Sequence, residues 1–402
     1  EIRRALDGAA IDRDREQSKE ALAHTKTAFL LTGWVREDMT EKVRREIEKI
    51  TDVYYLGFED PSEGDAVPTV LKNSRLITPY EAVTNLYSLP AYGTIDGTPL
   101  MAPFYFIFFG MMLSDTVYGA VLALGAWAFL KYMKPRGMME NLAKVLLMGG
   151  ISTIFMGLLF GTCAGVSWPV IFRGTALENT FPIIDSSADP IAMLALCAAM
   201  GIIQMFYAVF IAAYSCIKHR DWAGAIVDNL SWVFIITGLL LMAAPSLGLP
   251  AALGTAGKWM AIGFAAVVLL FAGRSKKNVA GRLMSGAGKL YDVTSWLGDV
   301  LSYARIFALG LSTGVIGLVL NTLCWDMLFA SFKGNPVLMV VGFIIVTVLS
   351  VALHAFMMAI STLGCFVHSA RLQYVEFFGK FYEAGGKAFK PLRYETKYVN
   401  VK

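Results

Sequence analysis

The sequence predicts a mainly α-helical membrane protein: a bundle of eight transmembrane helices, the last two long, preceded by a partial cytoplasmic α/β domain. Three observations carry this reading. Hydrophobic residues fill 56% of the 402 positions and charged residues only 16%, against about a quarter charged in a soluble domain. Mean hydropathy is +0.56. The apolar residues are also gathered into runs of spanning length over 101–370, while residues 1–100 hold much of the charge.

The soluble portion comes first. IDRDREQSKEALAHTK (11–26) reads as a charged helix, the remnant of a coiled coil. TAFLLTGWV (27–35) is rich in strand formers, and VYYLGFED (53–60) is expected to be a second strand. Between them REDMTEKVRREIEKI (36–50) reads as an amphipathic helix with acids in its first turn, where the helix dipole favours them. That β-α-β order assigns residues 1–67 to the C-terminal part of an α/β domain. The Pro-punctuated stretch 68–100 is a linker to the membrane, 101–370 the transmembrane domain and 371–402 a C-terminal tail. Because the chain opens on Glu1 with no signal-peptide pattern, an N-terminal portion is expected to be missing.

Eight spans are expected at about 101–115, 116–133, 141–165, 190–217, 222–246, 251–272, 291–324 and 335–370. The first two form one apolar run interrupted only by Ser114-Asp115, and charge decides how to divide it. The basic loops are KYMKPR (131–136), KHR (218–220), RSKKNVAGR (274–282) and the tail after His368. Loops poor in basic residues lie at 166–190, at 244–258 and at the turn through Lys333. The two kinds alternate, which the positive-inside rule reads as alternating sides of the membrane. An N-terminal domain without an export signal belongs on the side of KYMKPR, which requires an even number of crossings before it. Both termini are therefore cytoplasmic. On the third span Gly157, Gly161 and Gly165 recur every fourth residue and read as a helix-packing face.

Several chemistries are not indicated. The five cysteines form no CxxC pair, so neither a disulfide framework nor a metal site is expected. No phosphate loop, dinucleotide fingerprint, HExxH or GxSxG occurs, so the chain is not expected to be an enzyme by itself, to bind nucleotide or to hold a cofactor. A net charge of +4 gives no pull toward nucleic acid.

The candidate functional residues concentrate in the last two spans. LSYARIFALGLSTG (301–314) places Arg305 in an apolar run with Asp299 and Ser302 before it. Gly298, Ser302, Arg305, Leu309 and Ser312 recur at three and four, which puts them on one face made mostly of small residues. In the eighth span His354, Ser361, His368 and Arg371 fall close to one face. Ionisable residues in a span are costly and mark function by default. Blander roles stay open: Arg371 snorkelling to the interface, Arg305 paired within its helix to Asp299 or Ser302, and His354 as a hydrogen-bonded bundle residue. Asp115 is a candidate for function or capping.

WLGDVLSYARIFALGLSTGVIG (296–317) and GCFVHSARLQYVEFFGKFYEAGGKAFKPL (364–392) resemble the end of subunit I/a of A-type and V-type rotary ATPases. PTVLKNSRLITPYEAVTNLYSLPAYGTIDGTPLMAPFYFIFFGMMLSDTVYG (68–119) resembles the junction into that subunit's first span, and the GWV…GFEDP region the end of its cytoplasmic domain. The short external loops are closer to the prokaryotic form. This resemblance implies a stator in the plasma membrane of a prokaryote. It would hold two ion half-channels against a rotating ring of small membrane subunits, with peripheral stalk and central-stalk (d-type) subunits as further partners. The family's two arginines fall on Arg305 and Arg371, and its HS pair on His368 and Ser369. A glutamate of the vacuolar form, one heptad before the histidine, is Ser361 here; Glu376 is the nearer carboxylate. Other readings of the residues are a secondary transporter with a cytoplasmic regulatory domain and a passive membrane anchor. The choice of H⁺ or Na⁺, and of synthesis or hydrolysis, is not written in this chain.

Overall fold

The computed structural model describes residues 2–20, 22–62, 65–171, 189–248, 250–271, 273–274, 279–332 and 336–391. The loop readings that fall on 172–188, 275–278, the turn through Lys333 and the tail from 392 lie outside the described residues. Two compact units form, one from Glu1–Val70, Leu89–Gly93 and Ala384–Lys402, the other from Leu71–Ser88 and Thr94–Glu383.

In the first unit, α1 (Ile2–Glu20) is a charged helix carrying local pairs such as Lys19–Glu16 at 2.7 Å. The expected helix at 36–50 forms as a 3₁₀ turn at Glu37–Met39 followed by α2 (Thr40–Glu48), with Glu37, Asp38 and Glu41 at its start. The expected strands fare differently. Only Phe29–Leu30 of the first is a strand, paired antiparallel with Ala23–His24. Residues 53–60 form no strand, and Val53 and Tyr55 stand 90% and 97% exposed. A strand former pairs only where a sheet edge is offered, and none meets this segment among the described residues. The sheet that does form is three-stranded and unforeseen. Ala384–Ala388 lies between Pro68–Thr69, parallel to it, and Leu89–Pro90, antiparallel to it.

The second unit is helical, and it takes in much of the expected linker and tail. Residues 71–88 and 94–100, with α3 (Glu81–Tyr87), pack with the membrane helices, and so do residues 371–383. Tyr382 Oη donates to the Ser88 carbonyl at 2.7 Å, and Tyr374 Oη to the Val83 carbonyl at 2.5 Å.

The run around Ser114-Asp115 does divide. α4 (Thr98–Leu113) stops where Ser114 turns left-handed, φ 37°. α5 (Thr116–Met133) starts on Asp115, whose carboxylate accepts the Val117 and Tyr118 N–H groups at 3.0 and 3.1 Å. Both helices flank α6 (Met138–Phe160). Phe109 of α4 lies against Gly149, and Ser114 and Thr116 reach Thr162 just beyond α6. α5 then returns, with Gly119 against Ile154 and Ala123 against Gly150. The chain thus reverses at Ser114-Asp115. α4 has 16 residues, about 24 Å of helix against a hydrocarbon core of about 30 Å. It is buried through Met101, Tyr105, Phe108, Phe109, Met112 and Leu113.

The remaining helices are α7 (Pro190–Lys218), α8 (Gly224–Ala243), α9 (Ala251–Phe271), α10 (Gly281–Phe332) and α11 (Pro336–Lys380). With α5 and α6 they make seven helices of spanning length and composition among the described residues. The eighth expected span is therefore the short, enclosed α4. α6 ends earlier than expected, at Gly161 with φ 73°, and Gly165 is not on it. Residues 162–167 instead fold as a hairpin, Thr162 opposite Ser167 and Cys163 opposite Val166, turned by Ala164 and Gly165 at φ 50° and 75°. α10 and α11 both run longer than expected, and both are irregular. α10 tightens at Tyr303, whose N–H reaches back only to Val300, and α11 widens to a π-turn over Leu372–Phe377. Such departures recur at functional sites.

Candidate functional site: two polar centres along α10 and α11

The first centre surrounds Arg305. The small residues near it serve two faces of α10. Tyr303, Ile306, Gly310, Thr313 and Gly317 are buried inside the chain. A Cβ on Gly310 would lie 2.8 Å from the Met111 carbonyl, and one on Gly317 2.8 Å from the Gly165 Cα. Gly298 meets open space, and Ser302, Arg305, Leu309 and Ser312 stay partly or fully uncovered. The expected small-residue face is therefore open, with Arg305 on it.

Among the described residues Arg305 forms no ion pair, and its Nη1 is sheltered from solvent without a hydrogen-bond partner. Asp299, the local alternative, is engaged elsewhere: Lys380 of α11 reaches it at 2.7 Å and lies 4.3 Å over the Trp296 ring. Ser302 Oγ donates to the Gly298 carbonyl at 3.1 Å and lies beside the Glu376 carboxyl. The intrahelical pairing left open for Arg305 is not formed.

From α11, Glu376 enters the same region, 2% exposed, with Ser302, Asp299 and Arg305 as its polar neighbours and Oε2 unpartnered. His368 is half-buried, lies within electrostatic reach of Arg305 and Arg371, and its Nδ1 has no hydrogen-bond partner among the described residues. Arg371 is exposed, as snorkelling would have it, and Ser361 is half-buried one heptad before His368. Ser369 is fully buried against Met112.

Sequence reasoning missed the residues that knit this centre together. Tyr303 Oη donates to Gln204 Oε1 at 2.9 Å, and Gln204 Nε2 donates to Gln373 Oε1 at 2.6 Å. All three are buried and join α10, α7 and α11. The signal for Gln204 was present: a lone amide in an otherwise apolar span.

Asp115 and His354 belong to a second centre. Asp115 Oδ2 accepts the Gly165 N–H at 3.0 Å, which attaches the hairpin to the start of α5. Tyr118 Oη lies 2.6 Å from His354 Nδ1, and His354 Nε2 lies 3.1 Å from Asn321 Oδ1. Asn321 Nδ2 donates to the Ala164 carbonyl at 2.7 Å. This centre meets α10 at Gly317, twelve residues beyond Arg305, or about 18 Å along a helix. Among the described residues no group of histidine, cysteine and carboxylates is placed to hold a metal ion.

Residues 295–394, which hold Arg305 and the polar end of α11, match the model of the V-type ATPase 116 kDa subunit family. That match covers 100 of the 402 residues. Among curated relatives, the A-type ATP synthase subunit I of Pyrococcus horikoshii is 34% identical over 393 residues, 95% of this chain and 56% of its own length. The subunit of the same name from Methanocaldococcus jannaschii is 29% identical over 417 residues, covering 97% of this chain and 58% of its own. The V-type ATP synthase subunit I of Borreliella burgdorferi is 24% identical over 377 residues, covering 90% and 60%. The chain thus spans a little over half the length of the relatives it matches. With these relatives and seven apolar helices of spanning length among the described residues, it is a multi-pass membrane protein. The family match takes in Arg305, His354, Ser361, His368, Arg371 and Glu376, but not Asp115, Tyr118 or Gln204.

Proposed function

We propose that this chain is the membrane stator subunit of a rotary A/V-type ATPase and couples ion flow to rotation of a ring of small membrane subunits. The observation that carries the reading is Arg305, an unpaired guanidinium on the open face of α10 while Asp299 is held by Lys380. A guanidinium stays protonated and cannot relay a proton itself. It attracts a carboxylate arriving from outside the chain and favours its ionised form, which expels a bound proton or Na⁺. Its fixed charge also repels cations, so it blocks a leak between the two half-channels. Placing an arginine in a span costs about 2.5–3.5 kcal/mol on an insertion scale, and a passing carboxylate offsets part of that.

In this reading His368, Ser361, Ser302 and Glu376 border the ion path, with Arg371 assisting from the end of α11 and Asp299 holding the Lys380 side of the site. The unpartnered polar atoms of His368, Gln373 and Glu376 support a hydrated boundary there. Peripheral and central stalk subunits would be the soluble partners, both termini cytoplasmic, and the membrane a prokaryotic plasma membrane. The chain would contribute no nucleotide site. The decisive experiment is Arg305→Ala in the assembled complex, reading ATP-driven ion transport into vesicles. Transport is expected to be lost with the complex intact, and undiminished pumping would sink the proposal.

A further inference from the structure

We infer that His354 and Asp115 are positioning residues: they tie the 162–167 hairpin against α10 through a one-directional hydrogen-bond chain whose histidine is the neutral Nε2–H tautomer. The direction follows from donor and acceptor inventories. The Ala164 carbonyl can only accept, so the Asn321 amide must present its NH₂ there, at 2.7 Å. Flipping that amide would set two oxygens against each other, which fixes an orientation that amides otherwise leave open. Asn321 Oδ1 then faces His354 Nε2 at 3.1 Å and can only accept, so Nε2 carries the proton. In a neutral imidazole Nδ1 is then bare and accepts the Tyr118 O–H at 2.6 Å. The chain runs Tyr118 to His354 to Asn321 to the Ala164 carbonyl. It ends on a backbone oxygen that has no proton to pass on, which makes it a tie and not a conductor.

The Asp115 carboxylate is occupied in the same way. Oδ1 accepts the Val117 and Tyr118 N–H groups, and Oδ2 accepts the Gly165 N–H at 3.0 Å. The hairpin is thus fastened at both residues of its turn, at Ala164 by Asn321 of α10 and at Gly165 by Asp115 at the start of α5. Its tip lies backbone to backbone on Gly317. Ala164 holds a left-handed φ of 50° there, a conformation that costs about 1 kcal/mol or more outside glycine and persists because the tie holds it. The tie sets where α10 sits against its neighbours, and so where Arg305 sits.

The test has two arms. In the full chain in lipid bilayers, ¹⁵N-histidine NMR reads the His354 ring at neutral pH; a protonated Nε2 with a bare Nδ1 is expected, and a protonated Nδ1 overturns the inference. In the assembled complex, ion transport is compared for His354→Gln and His354→Leu, normalised to assembled complex. Glutamine cannot titrate, but its amide nitrogen reaches the place of Nε2. It forfeits at most one interhelical bond, so transport should stay within about twofold of the parent. Leucine leaves the Tyr118 hydroxyl and Asn321 Oδ1 unsatisfied and should lower transport by about tenfold or more. Equal loss in both variants would assign His354 a relaying role, and transport unmoved by His354→Leu would remove the positioning role. The transport arm rests on the proposed function; the NMR arm does not, so a failure of either is separately visible.

Discussion

Gln204 offers the sharpest test of how the site around Arg305 is held, because two similar substitutions should differ in cost. Gln204→Leu keeps the volume of the side chain near constant and removes both of its hydrogen bonds. It strands the Tyr303 hydroxyl and Gln373 Oε1, two buried polar atoms that the native chain satisfies. An unsatisfied buried group costs about 1–3 kcal/mol, while interhelical bonds within a bilayer average about 0.6 and reach about 1.7 kcal/mol. The lower end of the first range applies, and Gln204→Leu should cost about 2 kcal/mol. Gln373→Leu breaks one of the same bonds and strands only Gln204 Nε2. It also deletes Gln373 Nε2, which has no partner to begin with, so its cost should be about 0–1 kcal/mol. The assay is reversible unfolding of the chain in mixed micelles, with the double variant completing a cycle. A Gln373→Leu variant as unstable as Gln204→Leu, or a coupling free energy near zero, would refute the assigned bonding.

Two further outcomes follow from packing and charge. Gly317→Ala sets a methyl 2.8 Å from the Gly165 Cα; the tip of the hairpin must retreat, and unfolding in micelles should show a loss of about 1–3 kcal/mol. Glu81 lies outside the spans, and burial pushes its carboxyl above the ordinary value, with Asp96 adding to this and the Asn73 hydrogen bond opposing it. The folded state therefore binds this proton more tightly than the unfolded one, so its penalty applies above the raised pKa and disappears as pH falls through it. Glu81→Gln should raise the melting temperature at neutral pH, and the gain should vanish in acid.

The helices were legible because a bilayer leaves the backbone few choices, and apolar runs of twenty residues fold as helices. The division at Ser114-Asp115 came from the charges of loops far from it, and the structure realises it with an N-cap that any aspartate before a helix could supply. What was not legible depends on partners distant in sequence. Lys380 meets Asp299 across 81 positions and takes away the acid that spacing alone offered to Arg305. Spacing put Gly298 and Ser302 on one face of α10 with Arg305, yet it could not say that this face opens outward while Gly310 and Gly317 pack inward. The strand reading in 27–35 shrank to Phe29–Leu30 and that in 53–60 failed for a related reason. β-propensity describes a fit to a neighbouring strand, and the central strand of the three-stranded sheet in the first unit, Ala384–Ala388, comes from the far end of the chain.

The pattern of paired charges bears on why Arg305 has no ion-pair partner among the described residues. Lys289 and Arg274 share Asp228, and Lys380 takes Asp299, so three cations bordering the helical unit have acids of their own. A fold able to supply those acids could have supplied one more, and a fixed partner would lower the cost of the guanidinium in its span. It would also quench the charge for any carboxylate outside the chain. α10 is instead pinned on either side of its open face. Asp299–Lys380 and Tyr303–Gln204–Gln373 hold it at one end, and the hairpin on Gly317 with the His354 tie holds it at the other. A helix fixed in this way keeps one cation at a constant height, with Glu376 and His368 in its vicinity but no acid in an ion pair with it among the described residues. Under the proposed stator function that arrangement suits a charge that meets a succession of moving carboxylates, and a passive anchor would have no use for it.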